Sequence, residues 1–318
     1  MDIIKEDIVR EVEKDISQSP QRVGNAIKAD ELLNKDVESI PKLIDPIFQK
    51  TGLVAVGGSS DVGKSTLLRQ LAIAIATGQE TFLGFKLHPE HGKAIYVSTE
   101  DDEFAISYLL NQYNKFAKYP PKDYSNLRYI FVVNDLIKEI DRQLTEDPAD
   151  VVIIDAFTDL YSGKLNEANK VRTFLNEFSQ LAVKHQTLFI FLHHTGKRTD
   201  NELPSKHNLL GSQAFEAKMR CVIELREDKQ DTTKRHLCIV KGNYLPKELK
   251  TESYVLIFEN LIFSATNDRV PYSELITGEE RKNMQSEAKE LKETGLSQKE
   301  ISKRLGVSQP TINRWLRE

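Results

Sequence analysis

Cysteine is scarce in this 318-residue chain, and no apolar run is long enough to cross a membrane. A membrane-spanning helix needs about 20 consecutive apolar residues, so we expect no membrane partner. The two cysteines, Cys221 and Cys238, both lie in apolar runs, which favours buried thiols in a reducing compartment over a disulfide framework. The acidic N-terminus lacks a signal-peptide pattern, so we expect a cytoplasmic protein.

An excess of positive charge is also missing. Lys and Arg total 44 against 48 Asp and Glu, which gives a formal net charge of −4. The overall electrostatic field therefore does not attract nucleic acid, and any nucleic-acid site has to be a local basic patch. The remaining composition is ordinary for a globular protein, and the length allows one large or two modest domains.

Short apolar runs alternate with amphipathic stretches from residue 53 onward. Strands that are buried on both faces and alternate with helices predict an α/β fold with a mainly parallel sheet. After residue 211, short apolar runs separated by polar turns predict antiparallel strands that extend the sheet edge. The predicted strands are 53–56, 94–97, 129–133, 151–154 and 188–192, followed by 221–225, 236–240, 254–258 and 261–263.

These patterns divide the chain into four parts. Residues 1–42 are polar with helical spacing of apolar positions, and we interpret them as a helix and a linker. The helix is either an ordinary surface helix or one that docks on a neighbouring subunit. Residues 43–266 form the α/β domain, residues 267–280 a linker, and residues 281–318 a small all-helical domain.

The stretch GGSSDVGKST, residues 57–66, has the spacing of a phosphate-binding loop. A strand pattern precedes it and an amphipathic helix pattern follows, so its backbone N–H groups would surround phosphate oxygens. Lys64 would reach the β- and γ-phosphates of ATP, and the Ser65 hydroxyl would bind Mg²⁺. The residues expected to bind the nucleotide are Gly58, Ser59, Ser60, Asp61, Val62, Gly63, Lys64, Ser65 and Thr66.

Acidic residues follow two of the predicted strands. VVIID ends at Asp155, which would complete the Mg²⁺ shell with Ser65, the alternative being a cap on the next turn. YVSTEDD places Glu100 and Asp101 at the same sheet edge, and either could orient the attacking water. We favour Glu100 for its longer side chain, with Asp101 as a cap for the following helix.

These motifs, in this order, resemble the RecA superfamily of ATPases, and within it the RepA-like branch of plasmid replication helicases related to DnaB. The resemblance covers about residues 40–263 and rests on GGSSDVGKST, GQETFLGF, YVSTED, VVIIDAFTDL, FLHHTGK and GSQAFEAKMR. It implies a RecA-like P-loop ATPase core that uses ATP and Mg²⁺. It also implies a homo-oligomer, a hexameric ring, whose active site forms between subunits.

The resemblance assigns roles to three residues near the phosphate loop. Glu100 matches the catalytic carboxylate, Asp155 the Walker B aspartate, and His194 the γ-phosphate sensor. His193 precedes the sensor on the same predicted strand. Adjacent side chains on a strand point to opposite faces, so the two histidines are a poor metal site and one of them is expected to pack inside.

The resemblance also implies a residue that acts in trans. Arg220 matches the arginine that reaches into the neighbouring subunit's site, with a plain surface charge as the alternative. The KxR pair of DnaB-like ATPases corresponds to IVKGNY, where Lys241 is present but Asn243 replaces the arginine. Either Arg220 acts alone, or Lys241 contributes a weaker point charge at the nucleotide.

Loops that follow the Walker B and sensor strands hold single-stranded DNA in RecA-like rings. The corresponding residues here are 161–170 and 196–212. Lys197, Arg198 and Lys206 in the second loop would contact DNA phosphates. The same loop contains Asp200 and Glu202, so a solvated loop of mixed charge is the alternative.

LSQKEISKRLGVSQPTINRWL, residues 296–316, has the pattern of a helix-turn-helix. Ser297 is suited to cap the first helix, and Gly306 lies where the turn needs a left-handed residue. The segment resembles the helix-turn-helix of resolvase- and transposase-type DNA-binding domains. Its expected core residues are Ile301, Leu305, Val307, Ile312 and Trp315.

Charge in this segment favours duplex DNA as its partner. Residues 297–317 contain five Lys and Arg and a single acid, Glu300. The second helix would enter the major groove, and a helical bundle used for protein contact is the alternative. The candidate base or phosphate contacts are Gln309, Thr311, Asn313 and Arg314.

Together the patterns predict an oligomeric, Mg²⁺-dependent ATPase that acts on DNA, most concretely a helicase of plasmid or mobile-element replication. The alternative from another class is a DNA-binding regulator or recombination accessory protein in which ATP switches assembly without unwinding. An ATPase that acts on protein partners through its helical tail is the third hypothesis.

Overall fold

The computed structural model describes residues 26–35, 37–131, 134–161, 163, 167–196, 199–210, 213–276, 278–307 and 309–317. The chain divides into two compact units, residues 1–40 and 41–318. In the first unit, helix α1 (Ala29–Leu33) buries none of its side chains. The helix expected from the apolar positions between residues 3 and 16 lies outside the described residues.

The second unit is built on strands that form two sheets. The strands are β1 (Lys42–Asp45), β2 (Phe48–Gln49), β3 (Gly52–Gly58), β4 (Thr81–Phe82), β5 (Phe85–Leu87), β6 (Ala94–Ser98), β7 (Leu127–Ile130), β8 (Val151–Asp155), β9 (Leu188–His194), β10 (Cys221–Glu227), β11 (Lys234–Gly242), β12 (Glu252–Glu259) and β13 (Ile262–Pro271). Within the described ranges, the larger sheet has nine strands in the order β13-β12-β11-β10-β3-β9-β8-β6-β7. The strands from β10 to β7 run parallel, and β10 to β13 are antiparallel neighbours.

Helices cover both faces of this sheet. They are α2 (Lys64–Ala76), α3 (Glu103–Ala117), α4 (Leu136–Glu146), α5 (Phe157–Leu160), α6 (Ala168–His185) and α7 (Gln213–Lys218). One apolar core contains the inward face of α2, and a second contains those of α4 and α6 on the other side of the sheet. The central strands are buried on both faces for this reason, as parallel strands require. The predicted α/β class with a mainly parallel sheet is confirmed.

Three expectations about the strands need correction. The strand beginning at Cys221, predicted to be antiparallel, runs parallel to β3, with Cys221 opposite Val54, because α7 supplies a crossover connection. Residues 267–271, predicted to be linker, extend β13 as far as Pro271, which pairs with Glu252. A small sheet of order β2-β1-β5-β4 has no counterpart among the predicted strands. Its strands have only two to four residues, too few to show a periodic pattern.

The C-terminal residues form three helices. They are α8 (Gly278–Glu293), α9 (Gln298–Leu305) and α10 (Gln309–Trp315). Ser297 and Glu300 form a capping box at the start of α9, and Gly306 ends that helix with φ 69°, so both predicted boundary residues are confirmed. The five predicted core positions are all buried, together with Ala288 of α8.

Two further expectations concern burial. Cys221 and Cys238 are buried free thiols, and burial raises the pKa of Cys221 to about 12. Across the described part of the chain, no helix combines the length and the apolar character needed to cross a membrane.

Substitution of Gly58 by Ala is expected to destabilise the fold by about 1–3 kcal/mol. An added Cβ would lie 2.5 Å from the carbonyl oxygen of Leu225, a backbone atom that cannot rotate away. Gly278→Ala is the control, because a Cβ at that helix start meets nothing within 4 Å. The free energies of unfolding, from urea titration, would contradict the prediction if both variants matched the wild type.

Candidate active site

The phosphate loop connects the end of β3 to the start of α2. Gly63 has φ 98° and Asp61 has φ 61°, so the turn uses left-handed conformations that leave the N-terminus of α2 open. The Lys64 ammonium is buried and donates to the carbonyl oxygen of Ser59 at 2.6 Å. The loop therefore has the local geometry of an anion site at a helix N-terminus.

A cavity of about 590 Å³ opens above this loop. Its volume is within the usual range for small-molecule sites. The cavity brings residues from the phosphate loop together with two residues predicted from separate strands. Its lining comprises Ser60, Asp61, Gly63, Lys64, Ser65, Thr66, Glu100, Leu192, His194, Phe258 and Leu261.

Asp155 ends β8 beside the phosphate loop and is 7% exposed. Burial raises the pKa of its carboxyl, while hydrogen bonds from Tyr96 and Ser65 act in the opposite direction. The Tyr96 hydroxyl donates to Asp155 Oδ2 at 2.5 Å. Because the Ser65 hydroxyl bonds to this carboxylate, the two side chains lie close enough to share one ion.

These oxygen donors fit Mg²⁺, which prefers one or two protein ligands plus water and phosphate oxygens. The described residues contain no cluster of three or more His, Cys, Asp or Glu that would hold a different metal in a protein cage. Ser65 and Asp155 would hold the Mg²⁺, and the ion would neutralise charge on the phosphates.

Glu100 lies at the end of β6 with its side chain at the cavity. Burial raises the pKa of its carboxyl, and the negative charges of Asp155, Asp159 and Asp101 raise it further. A carboxylate with raised proton affinity is a better general base than an ordinary glutamate. Glu100 therefore has the position and the electrostatics expected of the residue that orients water.

Asp101 does not cap the next helix, contrary to expectation. Asp102 is the cap of α3, and its carboxylate accepts from the N–H of Ala105 at 2.8 Å. Asp101 instead forms an ion pair with the buried Arg69 at 3.6 Å. The run of adjacent acids in the sequence contained no signal to distinguish the cap from its neighbour.

The two histidines at the end of β9 point to opposite sides, as predicted. His194 lines the cavity, and burial and the nearby Lys64 charge lower its pKa. His193 is fully buried between Phe157 and Phe215, and burial lowers its pKa to about 4. Both rings are therefore neutral near pH 7, and His194 alone faces the nucleotide cavity.

Arg220 and Lys241 lie at the opposite edge of the sheet from the phosphate loop. The N–H of Arg220 donates to the carbonyl oxygen of Leu53, at the beginning of β3, whereas the phosphate loop follows its end. Lys241 forms an ion pair with Glu216 at 2.8 Å. The expected contact of Lys241 with the nucleotide is therefore not made within the subunit, and neither residue lines the cavity.

The turn between β12 and β13 contributes residues that the sequence analysis missed. Leu261 has φ 62°, a conformation that is uncommon for a branched side chain, and it lines the cavity with Phe258. Arg235 stacks on Phe258 and donates to the carbonyl oxygen of Val62 in the phosphate loop at 3.1 Å. These residues lie about 200 positions from the loop, and no local pattern links them.

The candidate DNA contacts of the helix-turn-helix differ in accessibility. Gln309 and Arg314 are exposed and Asn313 is half-buried, so these three can reach a partner. Thr311 is 5% exposed and lies against Ser273, with 3.4 Å between the hydroxyl oxygens, so its expected role as a DNA contact is corrected.

The candidate contacts of the loop after β9 are only partly described. Lys206 forms an ion pair with Glu216 at 3.2 Å and keeps 39% of its side chain exposed. Lys197 and Arg198 lie outside the described residues.

Comparisons with known proteins agree with this architecture. The family described as AAA domain matches residues 18–200, more than half of the chain, and a helix-turn-helix family matches residues 288–318. Among solved structures, the chain is similar to the ATPase domain of a DnaB-like helicase, with a TM-score of 0.55 and 14% identity over 75% of this chain and 96% of that one. At that identity the likeness shows the fold. No curated protein sequence matches.

The resemblance to RecA-like ATPases with a C-terminal helix-turn-helix is confirmed at the level of family and fold. The chain joins an ATPase-type core to a helix-turn-helix.

Glu100→Gln is expected to lower the rate of ATP hydrolysis by about 10²–10⁴-fold and leave ATP affinity nearly unchanged, because an amide cannot take a proton from water. Since the pKa of Glu100 is raised, wild-type activity should fall with acidification at a higher pH than for an ordinary glutamate. Steady-state rates across pH and binding of fluorescent ATP test both points. Asp101→Asn is the control, and a larger loss there would contradict the assignment.

Tyr96→Phe is expected to raise the Mg²⁺ concentration needed for ATP binding by about 10-fold, because the hydroxyl that orients Asp155 is lost. Fluorescent-ATP affinity measured across a Mg²⁺ titration gives this value. Tyr124→Phe is the matched control, since it also loses a hydrogen bond, to Asn114, but lies outside the cavity. Equal Mg²⁺ requirements in both variants would argue against a role for Tyr96.

Proposed function

The chain belongs to the AAA domain family, and we propose that it is a Mg²⁺-dependent ATPase that acts on DNA. The observation that supports this most directly is the convergence of the phosphate loop, Glu100 and His194 on one cavity. The helix-turn-helix in the same compact unit supports DNA as the partner.

In the proposed reaction, Lys64 and the loop N–H groups hold the phosphates, and Ser65 and Asp155 hold the Mg²⁺. Glu100 orients water for attack on the γ-phosphate. His194 contacts the γ-phosphate as a neutral hydrogen-bonding group, since burial and Lys64 disfavour its charged form. ATP is the proposed nucleotide.

The finer proposal is a ring-forming helicase, a hexamer, of plasmid or mobile-element replication. The exposed Arg220 supports an active site shared between subunits. It lies at the sheet edge opposite its own phosphate loop, so only a neighbour's nucleotide is within its reach. A head-to-tail interface that repeats this contact closes into a ring. Lys206 and the loop after β9 would face single-stranded DNA, and Gln309, Asn313 and Arg314 would face a duplex.

A DNA-binding regulator that uses ATP as a switch is the second candidate. One contact favours it: Arg314 of α10 forms an ion pair with Glu274 at 3.2 Å, and Thr311 lies against Ser273. The helix proposed to enter the major groove is therefore packed against the segment that joins it to the core, an arrangement that suits control of DNA binding.

Lys64→Ala is expected to lower ATP hydrolysis at least about 100-fold, because it removes the charge that binds the phosphates. ATP turnover with and without DNA, and displacement of a labelled strand from a forked duplex, separate the two candidates. Lys138→Ala, which removes an equally charged side chain that is 86% exposed on α4, is the control.

ATP-dependent displacement that is lost in Lys64→Ala supports the helicase. DNA-stimulated hydrolysis without displacement supports the regulator. Absence of ATP binding by the wild type contradicts both, and a monomeric native mass with ATP and DNA present contradicts the shared site.

A further inference from the structure

The loop of residues 199–210, here named the sensor loop, returns at both ends to the nucleotide site. Just before it, the N–H of Thr195 donates to the carbonyl oxygen of Gly58 at 3.1 Å. At its end, the N–H of Leu210 donates to the carbonyl oxygen of His194 at 2.9 Å. Leu209 Cδ2 lies only 2.2 Å from the point where a Cβ on Gly57 would be. The sensor loop is thus packed directly on the main chain that leads into the phosphate loop.

Two buried charges on β10 hold the middle of the sensor loop. Arg226 donates to the carbonyl oxygens of Thr199 and Glu202 at 3.0 and 2.5 Å. Glu224 accepts from the N–H of Ser205 at 2.9 Å, and it forms an ion pair with Arg226 at 2.6 Å. Both charged side chains are at most 5% exposed. Such a pair adds little net stability, but it fixes one conformation of the loop that it bonds.

Leu203 extends from this loop into the core of the helix-turn-helix. It packs against the cluster formed by α8, α9 and α10, and against a second cluster of core residues that contains Cys238 and Tyr272. Leu203 Cδ1 lies 3.9 Å from the point where a Cβ on Gly306 would be, at the turn between α9 and α10. One side chain therefore joins the sensor loop to the turn that orients the DNA-binding helix.

We propose that nucleotide binding at the phosphate loop and duplex DNA binding at the helix-turn-helix are energetically coupled through Leu203. The inference rests on the proposed function, because it requires both ligands. A shift of His194 or Gly58 toward a bound γ-phosphate displaces the ends of the sensor loop, and the Glu224–Arg226 pair transmits the displacement as a unit. Leu203 then changes how the helix-turn-helix packs near Ser273 and Glu274, and with it the access of DNA to Arg314.

The direct test is the dissociation constant for a fluorescein-labelled duplex of about 30 base pairs, measured by anisotropy with and without saturating Mg²⁺ and a non-hydrolysable ATP analogue. Coupling between sites typically changes affinity by about 5-fold or more. We expect a change of that size in the wild type and a ratio near 1 for Leu203→Ala. By reciprocity, the duplex must change the affinity for the analogue by the same factor.

Two controls keep the test interpretable. Glu202→Ala changes the neighbouring exposed side chain but not the carbonyl that Arg226 binds, so it should keep the wild-type ratio. Trp315 is the only tryptophan in the sequence and is fully buried in the helix-turn-helix core, so its emission maximum reports whether that core is intact in each variant. If Leu203→Ala shifts the emission to the red, Leu203→Val, which removes a single carbon, replaces it and should give an intermediate ratio.

Equal duplex affinity with and without the analogue in the wild type would overturn the proposal. So would a wild-type ratio in an intact Leu203→Ala or Leu203→Val variant. Failure of the wild type to bind either ligand would instead reject the proposed function, so the two failures are distinguishable.

Discussion

Close approach of main chain around Gly57 and Gly58 is the constraint on which the rest of this molecule depends. The end of β3 is flanked by β9 and β10, and a side chain there would meet Leu209 on one side and the Leu225 carbonyl on the other. With no Cβ in the way, the strand ends where the sensor strand, the sensor loop and the phosphate loop all meet. The nucleotide cavity and the path toward the helix-turn-helix both follow from this point of contact.

Burial then sets the chemistry of the polar groups around that point. It raises the pKa of Asp155 and Glu100 and lowers that of His194, so the carboxylates gain proton affinity while the histidine stays neutral. Tyr96 and Ser65 offset part of this effect at Asp155 by hydrogen bonding to its charged form. The site therefore combines a carboxylate held for a cation with a second carboxylate suited to accept a proton.

Prediction from the sequence succeeded where the signal was local. The P-loop spacing, the acid at the end of VVIID and the Ser297 and Gly306 boundaries depend on residues that are close in sequence, and the structure has each feature in place. It failed where the partner was distant. Asp102 rather than Asp101 caps α3, and Thr311 is covered by a turn from outside the helix-turn-helix pattern. No periodicity in either stretch contains that information.

The sequence by itself determined the α/β class, the phosphate loop and the presence of a C-terminal helix-turn-helix, because strand and helix periodicity, glycine spacing and capping residues act over a few positions. Only the tertiary structure decided that β10 joins β3 in parallel, that Phe258 and Leu261 close the nucleotide cavity, and that Leu203 reaches the turn at Gly306. These contacts join residues that lie roughly a hundred or more positions apart in the chain. They depend on how the whole sheet packs, which short-range preferences do not specify.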